Sequence, residues 1–89
     1  MKFRAKFETN EYNNIFVTIQ VKKLLFWKDL YCDLTNGIDG TYFWPVMTYC
    51  SSPYNSDINN LLNRLRTDEE ECKKYYIKTL FGYKKLWKQ

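Results

Sequence analysis

Residues 15–21 read Ile15-Phe16-Val17-Thr18-Ile19-Gln20-Val21, and their period decides the fold class. Ile15, Val17, Ile19 and Val21 fall on one face of an extended chain, with Phe16, Thr18 and Gln20 on the other. A helix would scatter these branched residues around its circumference, whereas a pleated surface packs them side by side. The segment is therefore read as a strand. Upstream, Phe3, Ala5 and Phe7 alternate with Lys2, Arg4, Lys6 and Glu8, a half-buried strand separated from the first by a polar turn over residues 9–14.

Downstream, residues 24–34 admit two readings. Leu24, Trp27, Tyr31 and Leu34 recur at helical spacing, while Leu24, Phe26, Leu30, Cys32 and Leu34 recur at strand spacing. The segment from Asn36 to Gly40 contains Asn-Gly and Asp-Gly pairs suited to positive φ, and an aromatic run, Thr41 to Cys50, follows it. That context favours a strand and a hairpin, with Pro45 confined to an edge or a bulge. Lys22-Lys23 makes a poor two-residue turn, which leaves open one long bent strand through residues 15–34.

After Ser51-Ser52-Pro53, Ser56 suits an N-cap and Asp57 suits the first helical turn. Ile58, Leu61, Leu62, Leu65, Cys72, Tyr75, Tyr76, Thr79 and Leu80 fit one helical stripe, interrupted at Asp68-Glu69. Thr67 with Glu70 forms a capping-box pattern, so the stripe accommodates one helix or two, ending at Gly82 as the C′ residue. The expected fold is α+β: an antiparallel β-sheet of three to four strands built from hairpins, followed by one long or two short C-terminal helices packed on one face. Residues 1–89 form a single domain, with a β-sheet region at 1–50, a helical region at 56–82 and a basic tail at 83–89 anchored by Leu86 and Trp87.

The net charge is +4, and its distribution is uneven. All six lysines of the C-terminal third follow the acidic run Asp68-Glu69-Glu70-Glu71. Arg4, Lys6 and Glu8 interrupt any apolar stretch after the first Met, so no secretory signal is read. The uncharged run Gly40–Ser56 carries two prolines and several polar residues, and no membrane partner is expected from it. Cys32, Cys50 and Cys72 are widely spaced and odd in number, which suits free thiols and a cytoplasmic location. A Cys32–Cys50 bridge would require paired strands and an oxidising compartment.

The chain contains no histidine, which removes the commonest general base at neutral pH, the commonest metal ligand and every Ser-His or Cys-His dyad. Asp29, Asp33, Asp39 and Asp57 match no calcium loop or acid/base spacing and are read as turn and cap residues. Three scattered cysteines make no zinc site, and Gly37, Gly40 and Gly82 make no phosphate loop. Neither a catalytic centre nor a metal or other cofactor is expected.

Six Phe, eight Tyr and three Trp exceed what one core of this size encloses, so some rings are expected at the surface, where Tyr and Trp anchor partners. Tyr42, Trp44, Tyr49 and Tyr54 are the candidate protein-binding residues, on a strand edge suited to strand addition or homodimerisation. The alternative is nucleic-acid binding through Lys74, Lys78, Phe81, Lys84, Lys85 and Lys88, with Lys2, Arg4 and Lys6 extending the patch. On a continuous helix Lys74, Lys78, Phe81 and Lys85 would share one side. In small size, aromatic content and absence of catalytic equipment, the chain resembles the compact accessory proteins of phages and mobile elements. That resemblance implies a non-enzymatic module that inhibits or modulates a host factor, without assigning residues.

Overall fold

The computed structural model describes residues 1–33, 42–50 and 56–87, and the side chains of all of these except 48–50. The class is α+β, with antiparallel sheets and two short helices, as the strand and helix periodicities imply.

Strand β1 (Phe3–Thr9) pairs with β2 (Ile15–Lys23) from Phe3↔Val21 to Thr9↔Ile15. Their loop is closed by Asn10, whose Oδ1 accepts from the amides of Tyr12 and Asn14 at 2.9 and 3.0 Å. Asn13 adopts φ 63° there, a conformation Asn tolerates better than most residues. The other edge of β2 is shared by two strands. Its C-terminal half pairs with β3 (Phe26–Asp29) and its N-terminal half with β6 (Met47–Cys50). The second sheet runs in the order β5-β4-β7-β8, with β4 at Tyr31–Asp33, β5 at Phe43–Pro45, β7 at Tyr75–Thr79 and β8 at Gly82–Lys85.

The sheets meet at a corner of three backbone hydrogen bonds: Leu30 N to Ile19 O, Ile19 N to Val46 O and Val46 N to Leu30 O, at 2.8 to 3.1 Å. Leu30 is the bend between β3 and β4, and Val46 the bend between β5 and β6, so two stretches of chain each serve both sheets. Strands that switch sheets at a bend make such corners without leaving amides unpaired. Thus 26–29 and 31–33 are strands, as the hairpin context indicates, joined by the bend at Leu30. The long bent strand through residues 22–23 does not form, because β2 and β3 make a hairpin around Leu24-Leu25, with Lys23 opposite Phe26.

Helix α1 (Ser56–Thr67) turns Ile58, Leu62 and Leu65 inward. Their partners include Phe3, Val17, Ile19, Val21, Leu30, Ile77 and Leu86, one contiguous core to which Trp87 also packs. Arg66 donates to the carbonyl of Phe3 at 3.1 Å and ties the helix to β1. Helix α2 (Glu69–Cys72) is capped by Asp68, whose Oδ1 accepts from the Glu70 amide. The Thr67 hydroxyl donates back to the Asn63 carbonyl at 2.7 Å, so the capping box centred on Thr67 is replaced by an Asp68 cap.

The expected helical region 56–82 requires correction beyond Cys72. Tyr75–Thr79 and Gly82–Lys85 form a hairpin, with Tyr76 opposite Lys85 and Thr79 opposite Gly82. β4 presents a free side that β7 fills through Tyr31↔Tyr76 and Cys32↔Tyr75, and rings and β-branched residues suit that pairing. Gly82, with φ 111°, completes a hairpin turn instead of a helix end. Part of the stretch read as a basic tail is therefore strand β8. The turn at 36–40 and the breaker at 51–53 lie outside the described residues.

Candidate interaction surfaces

One face of the second sheet carries a cluster of rings. Tyr31, Tyr76, Tyr83 and Phe43 are brought there by the pairings Tyr31↔Tyr76, Asp33↔Phe43 and Lys78↔Tyr83. Phe43 stacks on Tyr83 with centroids 4.2 Å apart and meets Tyr76 edge-on at 4.8 Å, while Tyr31 meets Tyr83 at 5.0 Å. Phe43 and Tyr83 come from the two outermost strands of the sheet, so their contact requires the sheet to curl over this face. Edge-to-face and offset pairs of this kind add about 0.5–1.5 kcal/mol beyond area burial. Partial burial raises the Tyr31 hydroxyl above its ordinary pKa, with the Asp29 charge acting in the same direction.

Because Phe43 is turned into the cluster, its neighbours in sequence face the other way. Tyr42 and Trp44 are 66% and 53% exposed. Among the described residues β5 is an edge strand, paired only with β4, and Pro45 lies on it as its missing N–H requires. These two candidate protein-binding residues are thus adjacent and outward. The backbone of Tyr49 pairs with Phe16 in β6, whereas its side chain and all of Tyr54 lie outside the described residues.

The basic candidates are arranged differently from a helical stripe. Lys74 sits in the turn after α2, Lys78 on β7, Phe81 at the hairpin tip, and Lys84 and Lys85 on β8. Lys88 lies outside the described residues. On β1, Lys6 pairs with Glu8 at 2.9 Å, and Arg4 is held in a ladder across three strands. Its Nε donates to Gln20 Oε1 at 2.7 Å, and Gln20 Nε2 donates to Asp29 Oδ1 at 2.8 Å. The Arg4 guanidinium also lies 4.3 Å from the Trp27 ring centre, a cation–π contact. Arg4 and Lys6 therefore have intramolecular partners, as an extension of a phosphate-binding patch would not require.

A second polar centre joins the helices to β7. Glu71, buried at 7% exposure, receives Lys74 Nζ and the Tyr75 hydroxyl at 2.9 Å, with Arg64 Nε 3.9 Å away. Burial pushes the Glu71 carboxyl up, but the hydrogen bonds from Lys74 and Tyr75 and the nearby cations outweigh it and hold the pKa below its ordinary value. Burial and the same bond raise the Tyr75 hydroxyl far above its ordinary pKa. This constellation orients the start of β7, with Glu71 buried and its Lys74 and Arg64 partners reaching it from the surface. Cys72, also buried, donates to the Leu65 carbonyl at 3.0 Å, and burial raises its thiol.

Among the described residues, no group of three or more His, Cys, Asp or Glu side chains is placed to hold a metal ion. No helix there is long and apolar enough to cross a membrane. Comparison with protein-family models, curated proteins and solved structures finds no match for the chain.

The ring cluster and the Arg4–Gln20–Asp29 ladder escape a reading of the sequence, since each joins side chains from separate strands. The Glu71 centre is local, and the i, i+3 and i, i+4 spacing of Lys74 and Tyr75 from Glu71 is the signal that points to it. A local signal existed for one more feature: Leu24-Leu25-Phe26 and Leu80-Phe81 are apolar where turn residues belong.

Proposed function

We propose that the protein is a non-catalytic protein-binding module that docks a partner along β5. The observation that carries this reading is the exposure of Trp44 on an edge strand and of Tyr42 immediately before it, with the intervening Phe43 locked in the ring cluster. A strand held by stacking presents its outward rings with little entropy left to lose, the condition under which aromatic residues become binding hot spots. The edge is three residues long and contains a proline, so the rings contribute more than main-chain pairing. A second copy of the chain is one candidate partner. The resemblance to mobile-element accessory proteins makes a host factor the other.

Light scattering across a concentration series tests self-association, with Trp44→Ala as the comparison. Site-specific photocrosslinking from position 42 in the native host tests a foreign partner, with position 12, also exposed, as control. Capture at position 42 that is lost with Trp44→Ala supports the proposal. A strict monomer whose position-42 crosslinks match those of the control would remove it.

A further inference from the structure

Two hairpin tips carry the most exposed apolar side chains of the described structure. In the β2–β3 turn, Leu24 and Leu25 are 92% and 87% exposed; in the β7–β8 turn, Leu80 and Phe81 are both 98% exposed. Phe26 follows the first tip and is also exposed. The tips lie at one end of the molecule. β3 leads through Leu30 into β4, and β4 runs antiparallel to β7, so the turn before β3 and the turn after β7 project together. Lys28 Nζ reaches the Lys78 carbonyl at 3.3 Å and holds the two hairpins side by side. An open groove of about 630 Å³ lies between them, with Leu24, Phe26, Lys84 and Lys85 among its walls.

Such tips run against turn chemistry. Leu24 adopts φ 56°, where a bulky residue is an outlier and Asn or Gly is favoured. Exposed leucine there contributes nothing to the core, so its use is to be sought outside the fold. The surrounding charge is one-sided. The walls of the grooves at this end include Lys23, Lys28, Lys78, Lys84 and Lys85 against a single acid, Asp29, and Asp29 already accepts from Gln20.

We propose that this end docks on an anionic lipid surface, the Leu24-Leu25 and Leu80-Phe81 tips entering the headgroup–acyl boundary while the lysines meet lipid phosphates and carboxylates. Aliphatic tips inside a lysine collar match that interface in depth and in charge. This departs from the expectation of no membrane partner, whose ground was the lack of a segment able to cross a bilayer, since lying on a bilayer has different requirements. A second copy is disfavoured as occupant because it would oppose lysine to lysine. Single-stranded nucleic acid is disfavoured because three of the five exposed apolar side chains here, Leu24, Leu25 and Leu80, do not stack on bases and only Phe26 and Phe81 could, while the rings of Tyr31, Phe43, Tyr76 and Tyr83 are packed on one another.

Co-sedimentation of the full chain with phosphatidylcholine vesicles, with and without about one-third phosphatidylserine, tests the proposal. The expected result is binding to the anionic vesicles that weakens with added salt and falls by about fivefold for each of Lys23→Gln and Lys85→Gln. Leu25→Ser and Phe81→Ser should each reduce it about tenfold. Leu24→Asn suits the left-handed backbone and should also reduce binding while leaving the fold intact by circular dichroism. No sedimentation with anionic vesicles overturns the proposal. So does binding that survives Leu25→Ser with Phe81→Ser, which marks charge attraction alone. Tighter binding to an oligonucleotide or to polyglutamate at the same salt, dependent on Phe81, would transfer the site to nucleic acid or to an acidic protein and overturn it as well.

Discussion

Replacing Glu71 by Gln removes one charge from a buried site and keeps its shape, which makes the expected loss calculable. The Lys74 side chain is two-thirds exposed and that of Arg64 more than half exposed, so water screens both pairs to about 0.2–1 kcal/mol each. The Tyr75 hydroxyl is better sheltered, and its bond to an ionised acceptor is worth about 1.5–3 kcal/mol. Glutamine retains an acceptor for Tyr75, so part of that contribution survives. The net destabilisation at neutral pH should be about 1–2 kcal/mol, a fall in Tm of roughly 4–15 °C for a chain of this length. The pH dependence carries its own signature. The folded-state pKa of Glu71 lies below the ordinary 4.5, so its contribution is present above that value and is lost as pH falls through the folded pKa. Urea unfolding of wild type and Glu71→Gln at neutral pH and near pH 3 should show the gap closing in acid. An equal gap at both pH values, or none at neutral pH, would refute the charge-based account of this centre.

Gln20 is 6% exposed and bridges Arg4 to Asp29. Gln20→Leu should cost about 2 kcal/mol by leaving both charged groups without their central partner, and an unchanged urea midpoint would show that the ladder carries no stability. Leu24→Asn should raise stability by about 0.5–1 kcal/mol by relieving the left-handed conformation. A drop in its urea midpoint would mean that Leu24 makes a contact its exposure does not reveal.

Legibility tracked how local the information was. The strands at 3–9 and 15–23 were plain because alternation and β-branching agree within each segment, and helix α1 was plain because Ile58, Leu62 and Leu65 repeat at helical spacing behind a polar start. Tyr75, Tyr76, Thr79 and Leu80 fit a helical stripe as well as a strand. They became strand because β4 offered a pairing partner and Glu71 holds Tyr75 at the start of β7. Of the candidate anchors, Tyr42 and Trp44 do face outward, for a reason the sequence does not display: Phe43 is drawn inward by Tyr76 and Tyr83 from strands more than thirty residues downstream.

The order of residues, by itself, determined an α+β class, one core and a chain without histidine chemistry, since periodicity and composition act within a few residues of each position. Tertiary structure alone decided where β2 is shared, where the chain turns the corner at Leu30 and Val46, and which rings face out. It also decided that two leucine-tipped turns, 24–25 and 80–81, stand at the same end. Those outcomes depend on backbone groups meeting across 11 to 45 residues of chain, and hydrogen-bond pairing over such separations leaves no period in the sequence to be read.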